Sequence, residues 1–107
     1  MSIIKTVLAL DTSHSFCSTS VIRSNVVLSE ISQIKDKEPS ENVIKLVDKA
    51  LLKANLDLQD LDSIAVGVGP GNFTGIRVGI SVAKGLAFAL NIKCFGITRF
   101  QTLITND

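Results

Sequence analysis

Residues 63–90 read SIAVGVGPGNFTGIRVGISVAKGLAFAL, and this stretch decides the fold. The first six residues have the apolar, β-branched character of a short strand over 63–68. The glycine-rich turn at 69–72 follows, where large side chains would crowd the backbone. A helix is then predicted from 74 to 90. A strand, a turn and a helix in this order are typical of a crossover unit in an α/β sheet.

The other strands lie on both sides of this unit. The run IIKTVLAL at 3–10 predicts a central strand that is buried on both faces, because it is almost continuously apolar. Two further strands are predicted at 15–22 and 26–32, joined by a tight turn at Asn25. A last strand is predicted at 92–97. The first three strands form an antiparallel meander in this interpretation.

A second amphipathic stretch predicts a helix over 40–54, after a polar loop at 35–42. Ser40 is suited to cap this helix and Asn55 to end it. Thr98 is predicted to cap a third helix. The predicted fold is therefore a single α/β domain over residues 1–107, with a mixed five-stranded sheet in the order βββαβαβ flanked by helices.

Composition narrows the classes of function. The chain has 107 residues and a net charge of +1, which does not predict tight binding to nucleic acid. Cys17 and Cys94 lack metal-ligand spacing and are predicted to be buried free thiols. The sequence shows neither a signal peptide nor a membrane-spanning run, so we expect a cytoplasmic protein with no membrane partner.

Two segments have features that nucleotide sites share. The glycine-rich turn lacks the Gly-Lys-Ser/Thr of a phosphate loop, since Ile76 and Arg77 follow Gly75. The segment Asp11-Thr12-Ser13, at the end of the first strand, is the remaining candidate for nucleotide binding. Its alternative is an ordinary turn with an Asx hydrogen bond. The sequence contains one histidine, His14, and predicts neither a catalytic constellation nor a metal site.

The helix at 74–90 carries small residues at Gly75, Gly79, Ala83 and Ala87, four positions apart. Such a row is a shallow groove that lets another backbone approach closely. Both helices are apolar around much of their circumference, so they either cover each other or contact another chain. We favour a contact with another chain. The predicted partner-binding residues are Val43, Val47, Leu51, Phe73, Thr74, Gly75, Arg77, Val78, Gly79, Val82, Ala83 and Leu86.

Three segments resemble the TsaB (YeaZ) family: VLALDTS at 7–13, AVGVGPGNFTGIRVGISVAKGLAFAL at 65–90 and IKCFGIT at 92–98. The GPG-x-FTG-x-R pattern is the most specific of them. The resemblance implies an actin-like ATPase or ribonuclease H-like lobe. Members of the family are about twice as long, so the chain is similar to their N-terminal lobe, and the second lobe expected for the family is absent.

The resemblance implies a non-catalytic scaffold subunit in the synthesis of N6-threonylcarbamoyladenosine in tRNA. It implies docking to a TsaD-like catalytic subunit through the two helices, and a homodimer through the same helices when alone. ATP and metal are expected on the TsaD-like partner and no cofactor on this chain. A TsaE-like ATPase is expected to act indirectly, and tRNA to bind only through the complex.

Two other functions remain as alternatives. A phosphotransferase half-domain of the sugar- or acetate-kinase type would use Asp11 and its turn. A glycoprotease-like metallopeptidase is disfavoured, because TsaD-type members carry a metal-binding His-x-x-x-His and this sequence has no pair of histidines.

Overall fold

Five strands and two helices form two layers in the computed structural model, which describes residues 5–12, 16–34, 39–68 and 73–98. The predicted order βββαβαβ is confirmed. The elements are β1 (Thr6–Asp11), β2 (Phe16–Arg23), β3 (Val26–Ile34), α1 (Pro39–Ala54), a single 3-10 turn (Leu58–Asp60), β4 (Ser63–Gly67), α2 (Phe73–Leu90) and β5 (Lys93–Ile97).

The sheet has the strand order β3-β2-β1-β4-β5. β1 pairs antiparallel with β2 and parallel with β4, so Leu8 lies between Val21 and Ile64. β2 and β3 are antiparallel, and β4 and β5 are parallel. The prediction of a mixed sheet is confirmed, with β1 at its centre.

Both helices lie on one face of the sheet and contact each other. α1 packs on β2 and β3, and α2 packs on β4, β5 and β1. The core therefore lies between the sheet and the helices. Its buried members are Leu8, Leu10, Cys17, Val21, Val43, Leu46, Val47, Ala50, Leu51, Leu61, Ile64, Val66, Ala83 and Ala87.

The prediction that the first strand is buried on both faces holds for one face of β1. Leu8 and Leu10 point toward the helices and are buried. Val7 and Ala9 point to the other face and are only partly buried. The reason is the placement of the helices, because α1 and α2 both cover the same side of the sheet.

The hairpin between β2 and β3 turns at two residues with left-handed backbone. Ser24 has a φ of 51° and Asn25 a φ of 68°. Two consecutive positive φ values are typical of the type I′ turn, whose twist matches that of the flanking strands. The predicted turn at Asn25 is confirmed, and Ser24 joins it.

Both helices end at an asparagine in the left-handed region. Asn55 follows α1 with a φ of 61°, and Asn91 follows α2 with a φ of 56°. The next N–H in each case reaches back to a helical carbonyl: Leu56 to Leu51 at 3.0 Å, and Ile92 to Ala87 at 3.0 Å. This is the Schellman arrangement, which satisfies carbonyls that the helix itself leaves free. The predicted helix stop at Asn55 is confirmed.

Both helices begin one residue earlier than predicted, α2 at Phe73 and α1 at Pro39. α1 begins at Pro39, which the sequence placed in the loop over 35–42. Proline suits the first turn of a helix, where its missing N–H would have no partner within the helix. The turn at 69–72, Ser13, His14 and the predicted third helix after Thr98 lie outside the described residues.

Candidate functional site

Gly79, a predicted partner-binding residue, contacts a residue of its own chain. A Cβ at this position would overlap Oγ1 of Thr12 and would lie 3.4 Å from Cγ2 of Val66. Gly79 is buried, and so is Thr12. The absence of a side chain at Gly79 therefore lets α2 approach the end of β1 closely.

Other predicted partner-binding residues also pack within the chain. Val43, Val47, Leu51 and Ala83 are buried members of the core. A partner could not touch them while the helical layer keeps this arrangement. Their apolar side chains pack against the sheet in this chain, and a role in partner binding at these positions stays a prediction.

The remaining predicted residues lie nearer to solvent. Val82 and Leu86 are partly buried and pack against the core. Val78 is partly buried and Arg77 is exposed. Phe73, Thr74 and Gly75 form the first turn of α2, but their side chains lie outside the described part of the structure.

The outer surface of the helical layer exposes large apolar side chains that the sequence analysis did not select. Phe88 on α2 is 89% exposed and Leu52 on α1 is 82% exposed, while Ile44 is 45% exposed. Gly85 lies on the same side of α2 as Phe88, and a Cβ there would meet nothing within 4 Å. Unlike Gly79, Gly85 makes no contact within residues 5–12, 16–34, 39–68 and 73–98 that requires its small size.

Leu52 and Phe88 lie at the same end of the helical layer. Each accepts, through its backbone carbonyl, a hydrogen bond from the asparagine that ends its helix: Asn55 at 3.0 Å and Asn91 at 3.2 Å. Each helix then leads into a parallel strand, so both helices end near the edge of the sheet where β4 and β5 begin. The sequence could have predicted their exposure, because Leu52 and Phe88 do not lie on the apolar stripe that each helix turns toward the core.

The outer helical surface is cationic. Its one described acidic side chain is Asp48. The exposed cationic side chains in the described part of α1 and α2 are Lys45, Lys49, Lys53, Arg77 and Lys84. We call this surface, together with Ile44, Leu52, Gly85 and Phe88, the outer helical face. Apolar side chains surrounded by positive charge favour a partner with an apolar centre and acidic surroundings.

The candidate nucleotide site at the end of β1 is divided between the two faces of the sheet. The Thr12 side chain points toward α2 and is buried against Gly79. The Asp11 carboxylate lies beside β4, where a Cβ at Gly67 would be 3.3 Å from Oδ1 of Asp11. Both Asp11 and Thr12 take part in interactions within the chain. The structure therefore does not bring them together around one ligand position.

The described part of the chain has neither a metal-binding cluster nor a membrane-spanning helix. Within residues 5–12, 16–34, 39–68 and 73–98, no three His, Cys, Asp or Glu side chains are grouped to hold a metal ion. Neither α1 nor α2, the helices of the described part, has the length and apolar character needed to cross a membrane.

Comparison with known proteins places this architecture in a family. The family model described as "TsaD: tRNA N6-adenosine threonylcarbamoyltransferase" matches residues 22–107, well over half of the chain. The chain belongs to the TsaD family. The sequence-based resemblance to TsaB (YeaZ) proteins is confirmed by its relatives within that family.

Two curated relatives illustrate the match. TsaB of Buchnera aphidicola subsp. Schizaphis graminum is 38% identical over 97 residues, which cover 91% of this chain and 46% of the relative. TsaB of Bacillus subtilis is 34% identical over 101 residues, which cover 94% of this chain and 44% of the relative. Both are named tRNA threonylcarbamoyladenosine biosynthesis proteins. The chain thus spans about half the length of the curated relatives it matches.

Solved structures support the same assignment. YeaZ from Pseudomonas aeruginosa is 35% identical with a TM-score of 0.80, covering 88% of this chain and 44% of that one. RuvC of T. thermophilus, solved with a Holliday junction substrate, is 11% identical with a TM-score of 0.57 over 91% of this chain and 66% of its own, and shows the fold alone. The predicted α/β lobe of the actin-like or ribonuclease H-like type is confirmed.

Proposed function

We propose that the chain is the N-terminal lobe of a TsaB-type, non-catalytic subunit that supports the synthesis of N6-threonylcarbamoyladenosine in tRNA. In this proposal it binds a TsaD-like catalytic protein through the outer helical face. The observation that carries the proposal is the exposure of Phe88 and Leu52 on a helical layer whose inner side is fully used by its own sheet. Family membership indicates which process the contact serves.

Burial of these side chains would drive association. Removing a large apolar side chain from water stabilises a complex by roughly 1.5–3 kcal/mol. Gly85 lies one turn before Phe88 on α2, and a Cβ there would meet nothing within 4 Å among the described residues, so a partner helix can approach closely there. Burial of apolar side chains and close approach at Gly85 both occur on the outer helical face, and together they favour a helical partner.

One feature of this chain supports the proposed division of labour between it and its partner. Its sequence contains a single histidine, so it has no His-x-x-x-His to hold a catalytic metal. In the proposal, ATP, metal and the transfer reaction therefore belong to the TsaD-like partner. A TsaE-like ATPase and the tRNA join through the assembled complex.

Charge distinguishes a TsaD-like partner from a second copy of this chain. Two copies would place the same cationic surfaces against each other, which costs free energy that salt reduces. An acidic partner surface would be attracted, and salt would weaken that contact. We therefore expect association with the TsaD-like protein to weaken, and self-association to strengthen, as ionic strength rises.

The test is calorimetric titration of the chain with a TsaD-like catalytic protein. Phe88→Asp and Leu52→Asp should each weaken binding by about 30-fold or more, as expected for a central apolar contact. Val27→Asp is the matched control, since Val27 on β3 is 55% exposed but lies on the sheet away from the helices. It should bind as the unmodified chain does.

Two results would contradict the proposal. One is unchanged binding in both helix variants, with their folding verified by circular dichroism. The other is a loss of binding in Val27→Asp alone, which would place the contact on the sheet.

A further inference from the structure

A pocket of about 620 Å³ lies where the parallel strands begin. This volume falls within the roughly 300–1,000 Å³ range of small-molecule sites. The pocket is formed by residues other than those of the outer helical face. Its lining consists of Lys5, Asp62, Ser63, Asn91, Ile92, Lys93 and Phe95.

Two lysines flank the pocket from opposite sides. Lys5 immediately precedes β1, and Lys93 is the first residue of β5. β4 lies between these strands, and its first residue, Ser63, pairs with both Val7 and Lys93. Val7, two residues after Lys5, is the residue of β1 that is level with Lys93. The two lysine backbones are therefore roughly 12 Å apart, since two strand spacings of about 4.8 Å combine with an offset of two residues along the strand. Flexible lysine stems can bring both ammonium groups onto one anion across that distance.

An aromatic ring lies on the same face as one of these lysines. Phe95 follows Lys93 by two residues in β5, so both side chains point to one side of the sheet. The Phe95 side chain is 46% exposed. A half-exposed ring beside ammonium groups provides a surface on which a nucleobase can stack.

Two polar residues of the lining, Asn91 and Asp62, each take part in a hydrogen bond. Asn91 is fixed at the end of α2 by its own N–H, which donates to the carbonyl of Phe88 at 3.2 Å. Its carboxamide offers both a donor and an acceptor. Asp62 Oδ2 accepts a hydrogen bond from the N–H of Thr6 at 2.7 Å, which engages part of the negative charge that would otherwise repel an anion.

We propose that this pocket binds a nucleotide, with its phosphate between Lys5 and Lys93 and its base stacked on Phe95. The nucleotide is either free or part of an RNA strand, since the same groups recognise both. An acidic peptide would use the two lysines but would not need the exposed ring. With two lysines and a net charge of +1, we expect a dissociation constant on the order of 10⁻⁴ M.

The experiment uses the absence of other fluorophores in the chain. The sequence contains no Trp and no Tyr, so Phe95→Trp introduces one reporter into the pocket. Titration with AMP, and separately with a single-stranded tetraribonucleotide, should quench its fluorescence to saturation. Val27→Trp, at the opposite edge of the sheet, should show only linear collisional quenching. Saturation by AMP indicates a free nucleotide, and saturation by the tetranucleotide alone indicates an RNA strand.

Charge variants test the lysines in the Phe95→Trp background. Lys5→Met and Lys93→Met should each weaken binding about two- to fivefold, the range for an exposed ion pair. Gln33→Glu on β3 is the matched control, because it also lowers the net charge by one but lies far from the pocket. Phe95→Ala, measured by calorimetry, should weaken binding roughly tenfold.

The following results would overturn the proposal. The first is the absence of saturable quenching by either nucleotide at millimolar concentration. The second is an equal loss of nucleotide affinity in Gln33→Glu and in the lysine variants. The third is saturation by a poly-glutamate peptide at the same concentration as the nucleotide. Binding to the TsaD-like protein is measured separately through Phe88→Asp, so failure of one proposal leaves the other interpretable.

Discussion

The inner side of α2 places Gly79 against Thr12 and Val66, whereas on the outer side a Cβ added at Gly85 would meet nothing within 4 Å among the described residues. Both are glycines inside one helix, where glycine costs about 1 kcal/mol relative to alanine. On the inner side, close packing with β1 explains the small residue. On the outer side no contact within the described part of the chain explains it. Small residues in a helix therefore indicate close approach without indicating which neighbour approaches.

The largest effect in this comparison is expected from Gly79→Leu. The new side chain must enter space held by Thr12 and Val66, so we expect the free energy of unfolding to fall by about 3 kcal/mol or more. Urea denaturation followed by circular dichroism measures the change. Gly79→Ala should also destabilise, because its Cβ overlaps Thr12 Oγ1.

Gly85→Ala is the control for these variants. It should raise the free energy of unfolding by up to about 1 kcal/mol, since alanine is the better helix former and meets no obstacle. Equal stabilisation by Gly79→Ala and Gly85→Ala would show that Thr12 does not restrict α2, and the comparison between the two sides would fail.

A smaller effect is expected beneath α1, where two buried hydroxyls differ. Ser29 Oγ donates to the carbonyl of Ala50 at 2.7 Å and so ties β3 to α1. Thr19 is 1% exposed, and its hydroxyl has no hydrogen-bond partner among the described residues. Ser29→Ala should lower the free energy of unfolding by about 1 kcal/mol, and Thr19→Val should raise it by a similar amount.

Thermal and urea unfolding of Ser29→Ala and Thr19→Val measure whether the free energy of unfolding falls in the first variant and rises in the second. Cys17 lies on the same strand and the same face as Thr19, so Cys17→Ala provides a reference for simple loss of volume in this layer. Destabilisation by Thr19→Val would mean that the threonine hydroxyl does find a partner, such as an internal water.

The fold could be predicted from the sequence because the patterns that determine it are local. Apolar runs end at Asn25, Asn55 or the glycine-rich turn, and each of these residues suits a backbone that others avoid. Asn91 gives the same signal as Asn55, although the sequence analysis did not use it. The one-sided burial of β1 and the exact ends of several elements differed; β3, for example, runs to Ile34 and α1 begins at Pro39.

The candidate site was harder to predict from the sequence because it depends on contacts between segments that are far apart in the chain. Gly79 meets Thr12, and no local pattern connects these positions. A helix that is apolar around most of its circumference does not reveal which side faces the sheet. The sequence therefore selected Val47 and Ala83, which are buried, and did not select Phe88, which is exposed.

The smallest predicted effect is a difference in thiol reactivity between the two cysteines, one in the core and one nearer to solvent. Cys17 is buried in the core, while Cys94 on β5 is only partly buried, so the prediction of a fully buried thiol is wrong for Cys94. Burial raises the pKa of the Cys94 thiol above that of a free cysteine, and the positive charge of Lys84 partly lowers it. A raised pKa means less thiolate at a given pH, and the thiolate is the nucleophile.

Alkylation by iodoacetamide, resolved by mass spectrometry, measures this difference. Cys94 should react more slowly than free cysteine near pH 8, and its rate should keep rising with pH beyond the point where free cysteine levels off. Lys84→Met removes the charge that lowers the pKa, so it should slow Cys94 further by up to about fivefold. Cys17 should stay unmodified while the chain is folded. Equal reaction of Cys17 and Cys94 would show that the inner layer opens on the timescale of alkylation, and the distinction between inner and outer sides of the helical layer would then be one of degree.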